Sequence, residues 1–85
     1  MTFQNITRMN DQDIQAMLKR VDLTTLAFSL VGADETIVER IFRNMSKRAA
    51  NLAQSEIDRL SSMDPKQLII EMHRARINTA IQEIQ

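Results

Sequence analysis

The sequence predicts an all-α fold, a compact bundle of about five short helices, and three observations support this prediction. Hydrophobic residues make up 44% of the 85 residues, which is enough for a packed helical core. Glycine and proline occur once each and aromatic residues are scarce, a composition that disfavours a β-sheet. Apolar residues also recur with helical spacing along most of the chain, in stretches separated by turn and capping residues.

The first two predicted helices each begin after a capping residue. Asn10 is expected to cap the first helix and Asp22 a short second one, because both side chains can accept a hydrogen bond from a free backbone N–H. The second helix should end at Gly32, since glycine takes the left-handed conformation without steric cost. The inward residues are expected to be Ile14, Met17, Leu18 and Val21 in the first helix and Leu23, Leu26, Ala27 and Leu30 in the second.

The third and fourth helices are expected to start at Asp34 and Ser46, with Met45 closing the third. Ser46 can accept a hydrogen bond from the first turn of the helix that follows it. The predicted inward residues are Ile37, Val38, Ile41 and Phe42 in the third helix and Ala50, Ala53, Ile57 and Leu60 in the fourth.

A break at Ser61-Ser62-Met63 is expected to precede the last helix. Asp64 is predicted to cap this helix, with Pro65 at the first helical position and Gln67 at the third. The helix should run to near Gln85, and its buried residues are expected to be Ile70, Ile77, Ala80, Ile81 and Ile84.

Length and charge restrict the domain organisation and the classes of partner. One domain spanning residues 1–85 is expected, with 1–9 as a lead-in and 10–85 as the helical core. Eleven basic and eleven acidic residues cancel, so a general attraction to nucleic acid or anionic lipid is not expected. No apolar run approaches the ~20 residues of a membrane span, so direct membrane insertion is not expected.

The residue types that support catalysis are poorly represented. His73 is the only histidine and there is no cysteine, so neither a His-rich metal site nor thiol chemistry is expected. Ser46 has no evident base beside it and is better explained as a helix cap. We therefore expect no enzyme activity, no catalytic or metal-binding residues, no cofactor and no small-molecule substrate.

The string NMSKRAA, from Asn44 to Ala50, is the most informative segment of the chain. Lys47 and Arg48 place two positive charges in the first turn of a helix, where the helix dipole is already positive. Because this placement is locally unfavourable, it favours a role for these charges outside the helix. Upstream, the segment Leu30 to Asp34 ends one helix with glycine and starts the next at an aspartate.

Together these segments resemble the C-terminal domain of the flagellar motor switch protein FliG family, which typically reads LKGA and then NMSxRAA. The matching stretch runs from Leu30 to Ala50, and a weaker resemblance extends from Phe3 to about Ile84. The resemblance as a whole implies the armadillo-like helical fold of that domain. It also implies a rotor role in the cytoplasm, at the flagellar basal body on the inner-membrane face. The implied partners are a MotA-like stator cytoplasmic loop and FliM-like proteins of the switch ring.

One side of the fourth helix is a candidate interaction surface. With the apolar residues inward, Arg48, Ser55 and Arg59 share a stripe on the far side, because spacings of seven and eleven residues nearly complete whole turns. Glu56 lies at its margin and Leu52 is expected to be exposed. By physical chemistry alone, a solvated charged face is the favoured explanation of the pattern. In the family, however, the corresponding helix carries charges that face the stator and receive torque.

Only some of the positions that are charged in the family are charged in this sequence. The lysine of LKGA corresponds to Val31 and is absent, whereas the arginine of SxRAA is present as Arg48. The acidic pair corresponds to Ser55 and Glu56, so one acid is retained, and Lys66 is the best match for a downstream arginine. The implied stator- or protein-interaction surface therefore comprises Arg48, Leu52, Ser55, Glu56, Arg59 and Lys66.

Two expectations about context accompany this assignment. Phe3 matches the second half of the family's Met-Phe-x-Phe hinge, so residues 1–9 include a hinge remnant and an excised fragment is favoured over a standalone domain. The alternative function is a non-motor helical protein-interaction module derived from the same fold, because some family charges are missing.

Overall fold

A computed structural model describes residues 1–85 and contains only helices joined by short turns. A 3₁₀ helix, Phe3–Arg8, precedes five α-helices. The all-α prediction is confirmed, and the 3₁₀ helix adds a sixth helical segment to the five that were predicted. None of the helices combines the length and the apolar character needed to cross a bilayer. The α-helices are α1, Asp11–Leu18; α2, Leu23–Leu30; α3, Glu35–Arg43; α4, Lys47–Ser62; and α5, Gln67–Ile84.

Three of the predicted capping residues form the expected hydrogen bonds. The backbone N–H of Asp13 donates to Asn10 Oδ1 at 2.8 Å, which satisfies a free donor in the first turn of α1. Asp22 accepts from the Thr25 N–H at 2.7 Å, and Ser46 accepts from the Ala49 N–H at 3.1 Å. These bonds are made within one turn of the chain, which explains why residue identity and spacing were sufficient to predict them.

The core forms around α2, which packs against both α4 and α5, while α1 contacts α5 and α3 contacts the 3₁₀ helix. Ser29 is fully buried in α2, and its hydroxyl donates to the Thr25 carbonyl at 2.8 Å, so the buried polar group is satisfied inside the helix. The buried apolar cluster comprises Phe3, Ile6, Met9, Ile14, Met17, Leu26, Ala27, Leu30, Ile37, Ile41, Ile57, Leu60, Ile77, Ala80 and Ile81.

The first nine residues, which the sequence predicted as a lead-in to the helical core, contribute side chains to the buried cluster. Phe3, Ile6 and Met9 are buried at a spacing of three, which matches the three residues per turn of a 3₁₀ helix. The Phe3 N–H donates to Asn78 Oδ1 at 2.7 Å, and the Arg74 guanidinium carbon lies 4.8 Å from the Phe3 ring centre. The segment is therefore held by contacts with α5, residues far away in sequence.

The turn between α4 and α5 differs from the prediction. α4 continues through Ser62, so the first two residues of the predicted break are helical. Asp64 adopts a φ of 52° and does not cap the next helix, which begins at Gln67 after Lys66. The left-handed residue reverses the chain after the last turn of α4, a conformation that aspartate tolerates better than most residues.

Several predicted core positions are less buried than expected. Leu23 was predicted to point inward but is 43% exposed, because it is the first residue of α2 and lies beyond the packed part of that helix. Asp34 precedes α3 as predicted but makes no side-chain capping bond. Predicted core residues that are only half-buried are Leu18, Val21, Val38, Phe42, Ala50 and Ile84.

Candidate protein-interaction surface on helix α4

The buried side of α4 determines which residues face solvent. Ala53, Ile57 and Leu60 are buried, and α4 makes its main contacts with α2. Side chains about half a turn away from this row must point out of the molecule. The structure places Arg48, Ser55 and Arg59 on that exposed side.

Leu52 lies on the same exposed side as the charged residues. Its side chain is 55% exposed between Arg48 and Glu56, one turn from each. Glu56 is half-buried, at the margin between the exposed stripe and the packed side. The stripe therefore combines an exposed apolar side chain with charged groups of both signs.

Glu56 and Arg59 form an ion pair along the helix. The Arg59 Nη2 contacts Glu56 Oε1, and its Nε donates to Glu56 Oε2 at 3.2 Å, so the contact is bidentate. The hydrogen bond from Arg59 holds the pKa of Glu56 below its usual value, and the carboxylate in turn raises the pKa of Arg59. Arg48 forms no ion pair, so its positive charge faces solvent uncompensated by a contact.

Lys47 and Asn51 belong to the same surface, although they were not predicted as site residues. With Arg48, Leu52 and Ser55 they line a shallow depression along the first half of α4. Their spacing of four residues places them on adjacent turns, beside Arg48 and Leu52. This neighbourhood could have been inferred from the helical spacing once the exposed side of α4 was known.

Two positions assigned from the family pattern lie away from this stripe. Lys66 is the residue before α5, exposed in the turn, and the structure records no ion pair between it and the α4 residues. Val31 follows α2 and is half-buried, and its carbonyl accepts a hydrogen bond from Arg74 Nη2 at 3.1 Å. Arg74 Nε also donates to the Ser29 carbonyl at 2.9 Å, and burial lowers the pKa of this guanidinium.

His73 occupies a position on the side of α5 at the edge of the core. Its ring stacks on Phe28 with 4.4 Å between centres, and Nδ1 lies 2.8 Å from the Ile69 carbonyl oxygen. Both contacts are those of a half-buried side chain on a helix surface. No group of three or more His, Cys, Asp and Glu side chains is arranged to hold a metal ion.

Comparison with known proteins identifies the family. The model of the FliG C-terminal domain matches residues 1–85. Flagellar motor switch protein FliG of Thermotoga maritima is 45% identical over 56 residues, which cover 66% of this chain and 17% of that protein. FliG of Aquifex aeolicus is 39% identical over 67 residues, covering 79% of this chain and 20% of that protein.

A third relative covers almost all of the chain. FliG of Borreliella burgdorferi is 31% identical over 83 residues, which are 98% of this chain and 24% of that protein. The chain thus spans between 17% and 24% of the length of these relatives. The resemblance inferred from the NMSKRAA segment is confirmed, and the chain belongs to the FliG C-terminal domain family.

Proposed function

We propose that this chain is a non-enzymatic rotor domain of a flagellar motor switch and that α4 receives force from a stator. The observation that carries the proposal is the exposed stripe of Arg48, Leu52, Ser55 and Arg59, opposite the side of α4 that packs on the core. The relatives are flagellar motor switch proteins, which supports a rotor role for this member of the family.

The mechanical part of the proposal rests on the rigidity of α4. The helix has 16 residues, so it spans about 24 Å. Ala53, Ile57 and Leu60 anchor it to the core from the middle of the helix to near its end. A lateral force on the exposed stripe is therefore transmitted to the packed domain rather than absorbed by a mobile loop.

The strength of the contacts suits repeated engagement and release. Exposed ion pairs contribute about 1 kcal/mol or less, so a single contact does not trap the rotor against the stator. Arg48 is available to an acidic group because no carboxylate of this chain pairs with it. Leu52 adds a steric contact beside that charge, and added salt should weaken the electrostatic part.

The proposed setting follows from the same family. A MotA-like stator loop would meet α4, and FliM-like switch proteins would contact other surfaces of the domain, in the cytoplasm at the inner-membrane face of the basal body. Lys66 belongs to the proposed surface as an outlying charge in the turn before α5. Val31 offers no charge where the family carries a lysine, so the stator contact would depend more on Arg48.

The test is motility of cells whose parent protein carries Arg48→Glu. Because like charges repel at contact, the change should impair swimming, and reversal of the opposing acidic charge on the stator should restore it. Arg76→Glu serves as the matched control, since Arg76 is exposed on α5 and forms no ion pair.

Thermal unfolding of the isolated variants separates a contact defect from a folding defect. Arg48→Glu should leave the Tm unchanged or slightly higher, because it replaces a cation at the positive end of a helix dipole. Normal motility, or impaired motility together with a lowered Tm, would contradict the proposal.

The absent charge at Val31 keeps a second candidate function open, a helical protein-interaction module without a stator role. Direct binding of the stator cytoplasmic loop distinguishes the two functions. Stator-loop binding that Arg48→Glu weakens supports the rotor role. A domain that does not bind the stator loop but still binds other switch-ring proteins would fit the interaction module.

A further inference from the structure

A groove runs between α3 and α4, along the side of α4 that carries Gln54 and Ile57. It exists because the two helices pack on different neighbours, α3 on the 3₁₀ helix and α4 on α2. Its floor is apolar and is formed by Leu30, Val38, Phe42 and Ile57.

Two residues of the groove floor are only partly buried and so remain accessible to a partner. Val38 and Phe42 are half-buried, although both pack against the central cluster. They lie one turn apart on α3, so their side chains are separated by roughly 5–6 Å along the groove. This is the spacing at which the i and i+4 side chains of a second helix could pack against them.

The α3 rim of the groove is acidic and unneutralised. Glu35 and Glu39 line it one turn apart, and neither carboxylate forms an ion pair within the chain. Arg43 is the only cation that lines the groove, and its Nη2 is already engaged by Asp11 Oδ1 at 3.3 Å.

The α4 rim offers no compensating positive charge. Gln54 lines the groove there, and its Nε2 donates to Asp58 Oδ1 at 2.9 Å. The groove therefore has an apolar floor with two carboxylates on its α3 rim and a neutral polar side chain on its α4 rim. A partner that fills this groove must supply apolar side chains and positive charge.

We infer that the α3–α4 groove binds a basic amphipathic helix from a partner protein. Apolar side chains at i and i+4 of that helix pack on Val38 and Phe42, while flanking lysine or arginine side chains meet Glu35 and Glu39. The nine residues of α3 extend about 13 Å, which accommodates two to three turns of the partner.

This site is independent of the proposed stator contact. Ile57 lies about half a turn of α4 away from Arg48 and Ser55, and Gln54 lies between the two surfaces, about a third of a turn from both residues. One helix can therefore face two partners at once. The groove also adds a class of ligand that the rotor role does not require.

The test uses the full chain and a designed, labelled helical peptide of about 14 residues, with leucines at i and i+4 flanked by lysines. A second peptide carries glutamates in place of the lysines. Fluorescence anisotropy at low salt should show at least about tenfold tighter binding of the basic peptide.

The decisive variant reverses the charge of both glutamates on the α3 rim. Glu35→Lys combined with Glu39→Lys should weaken basic-peptide binding by about tenfold or more. The control combines Glu71→Lys with Glu83→Lys, which changes the net charge equally at exposed positions on α5 and should alter binding less than about twofold. Phe42→Ala should weaken binding of both peptides, because it removes an apolar contact.

Several results would overturn the inference. They are equal affinity for the two peptides, no measurable binding, equal loss in the rim and control variants, or NMR shift changes that avoid Val38 and Gln54. Arg48→Glu should retain peptide binding, and its loss would contradict the independence of the two surfaces. The rim variant changes only exposed side chains, so the test does not depend on whether Phe42→Ala folds.

Discussion

The polar residues around Asp11 and those on the exposed side of α4 are used in different ways. Asp11 Oδ1 lies 3.1 Å from Arg40 Nη2 in an ion pair, and it accepts hydrogen bonds from Arg43 at 3.3 Å and from Asn44 at 3.1 Å. Arg40 Nη2 also donates to the Met9 carbonyl at 2.7 Å. These contacts join the start of α1 to the end of α3, segments about 30 residues apart.

The polar contacts of α4 stay within the helix. Gln54 bonds Asp58 one turn further on, and Arg59 pairs with Glu56 three residues before it. No hydrogen bond or ion pair ties these side chains to another helix. The cluster around Asp11 therefore links two segments of the fold, whereas the polar side of α4 links none. Residues that the fold does not need are available to partners.

The largest expected effect is on the packed side of α4. Ile57→Ala should lower the free energy of unfolding by about 2–5 kcal/mol, because Ile57 is buried and the substitution leaves a cavity. Ser55→Ala, on the exposed side, should change it by less than about 0.5 kcal/mol. Urea titration measures both, and similar losses in the two variants would mean that the assigned orientation of α4 is wrong.

The next largest expected effect is the difference in stability between truncation of Arg40, in the cluster around Asp11, and truncation of Arg48, on the exposed side of α4. Arg40→Ala should cost about 1–3 kcal/mol, since it removes a charged donor and leaves the Met9 carbonyl without this partner. Arg48→Ala, the matched truncation on α4, should stay within about 0.5 kcal/mol. Equal losses of the free energy of unfolding in urea titration would mean that Arg40 stabilises the fold no more than Arg48 does.

The smallest expected effect is the loss of folding stability at low pH. The hydrogen bond from Asn44 lowers the pKa of Asp11, and that from Arg59 lowers the pKa of Glu56. A lowered folded-state pKa stabilises the protein above the unfolded-state value, near 4, and this stabilisation is lost as the pH falls through the folded-state pKa. Screening by solvent keeps both contributions small, because both carboxyls are at the surface.

Neutralising each carboxyl tests which of the two matters for the whole fold. Asp11→Asn should reduce the drop in Tm between pH 7 and pH 3 more than Glu56→Gln does, since only Asp11 links two helices. Differential scanning calorimetry at the two pH values checks this. A larger change in Glu56→Gln would show that the local pair on α4 also supports the fold.

Features decided by neighbouring residues could be predicted from the sequence alone. The caps at Asn10, Asp22 and Ser46 and the positive φ at Gly32 each depend on one turn of backbone. The apolar spacing of α4 likewise predicted its inward row and the exposure of Leu52, because one helical period relates all of these positions. The NMSKRAA segment, together with the segment Leu30 to Asp34 and their helical context, indicated the family, and the family match over residues 1–85 confirms it.

Features decided by distant contacts required the tertiary structure. Burial of the 3₁₀ helix needs Asn78 and Arg74 on α5, and the cluster around Asp11 needs the end of α3. The left-handed Asp64 and the groove between α3 and α4 depend on how helices meet, which no local pattern encodes. Local hydrogen bonds and periodicity determined the helices and their exposed sides, whereas packing between remote segments decided which surfaces remain open to a partner.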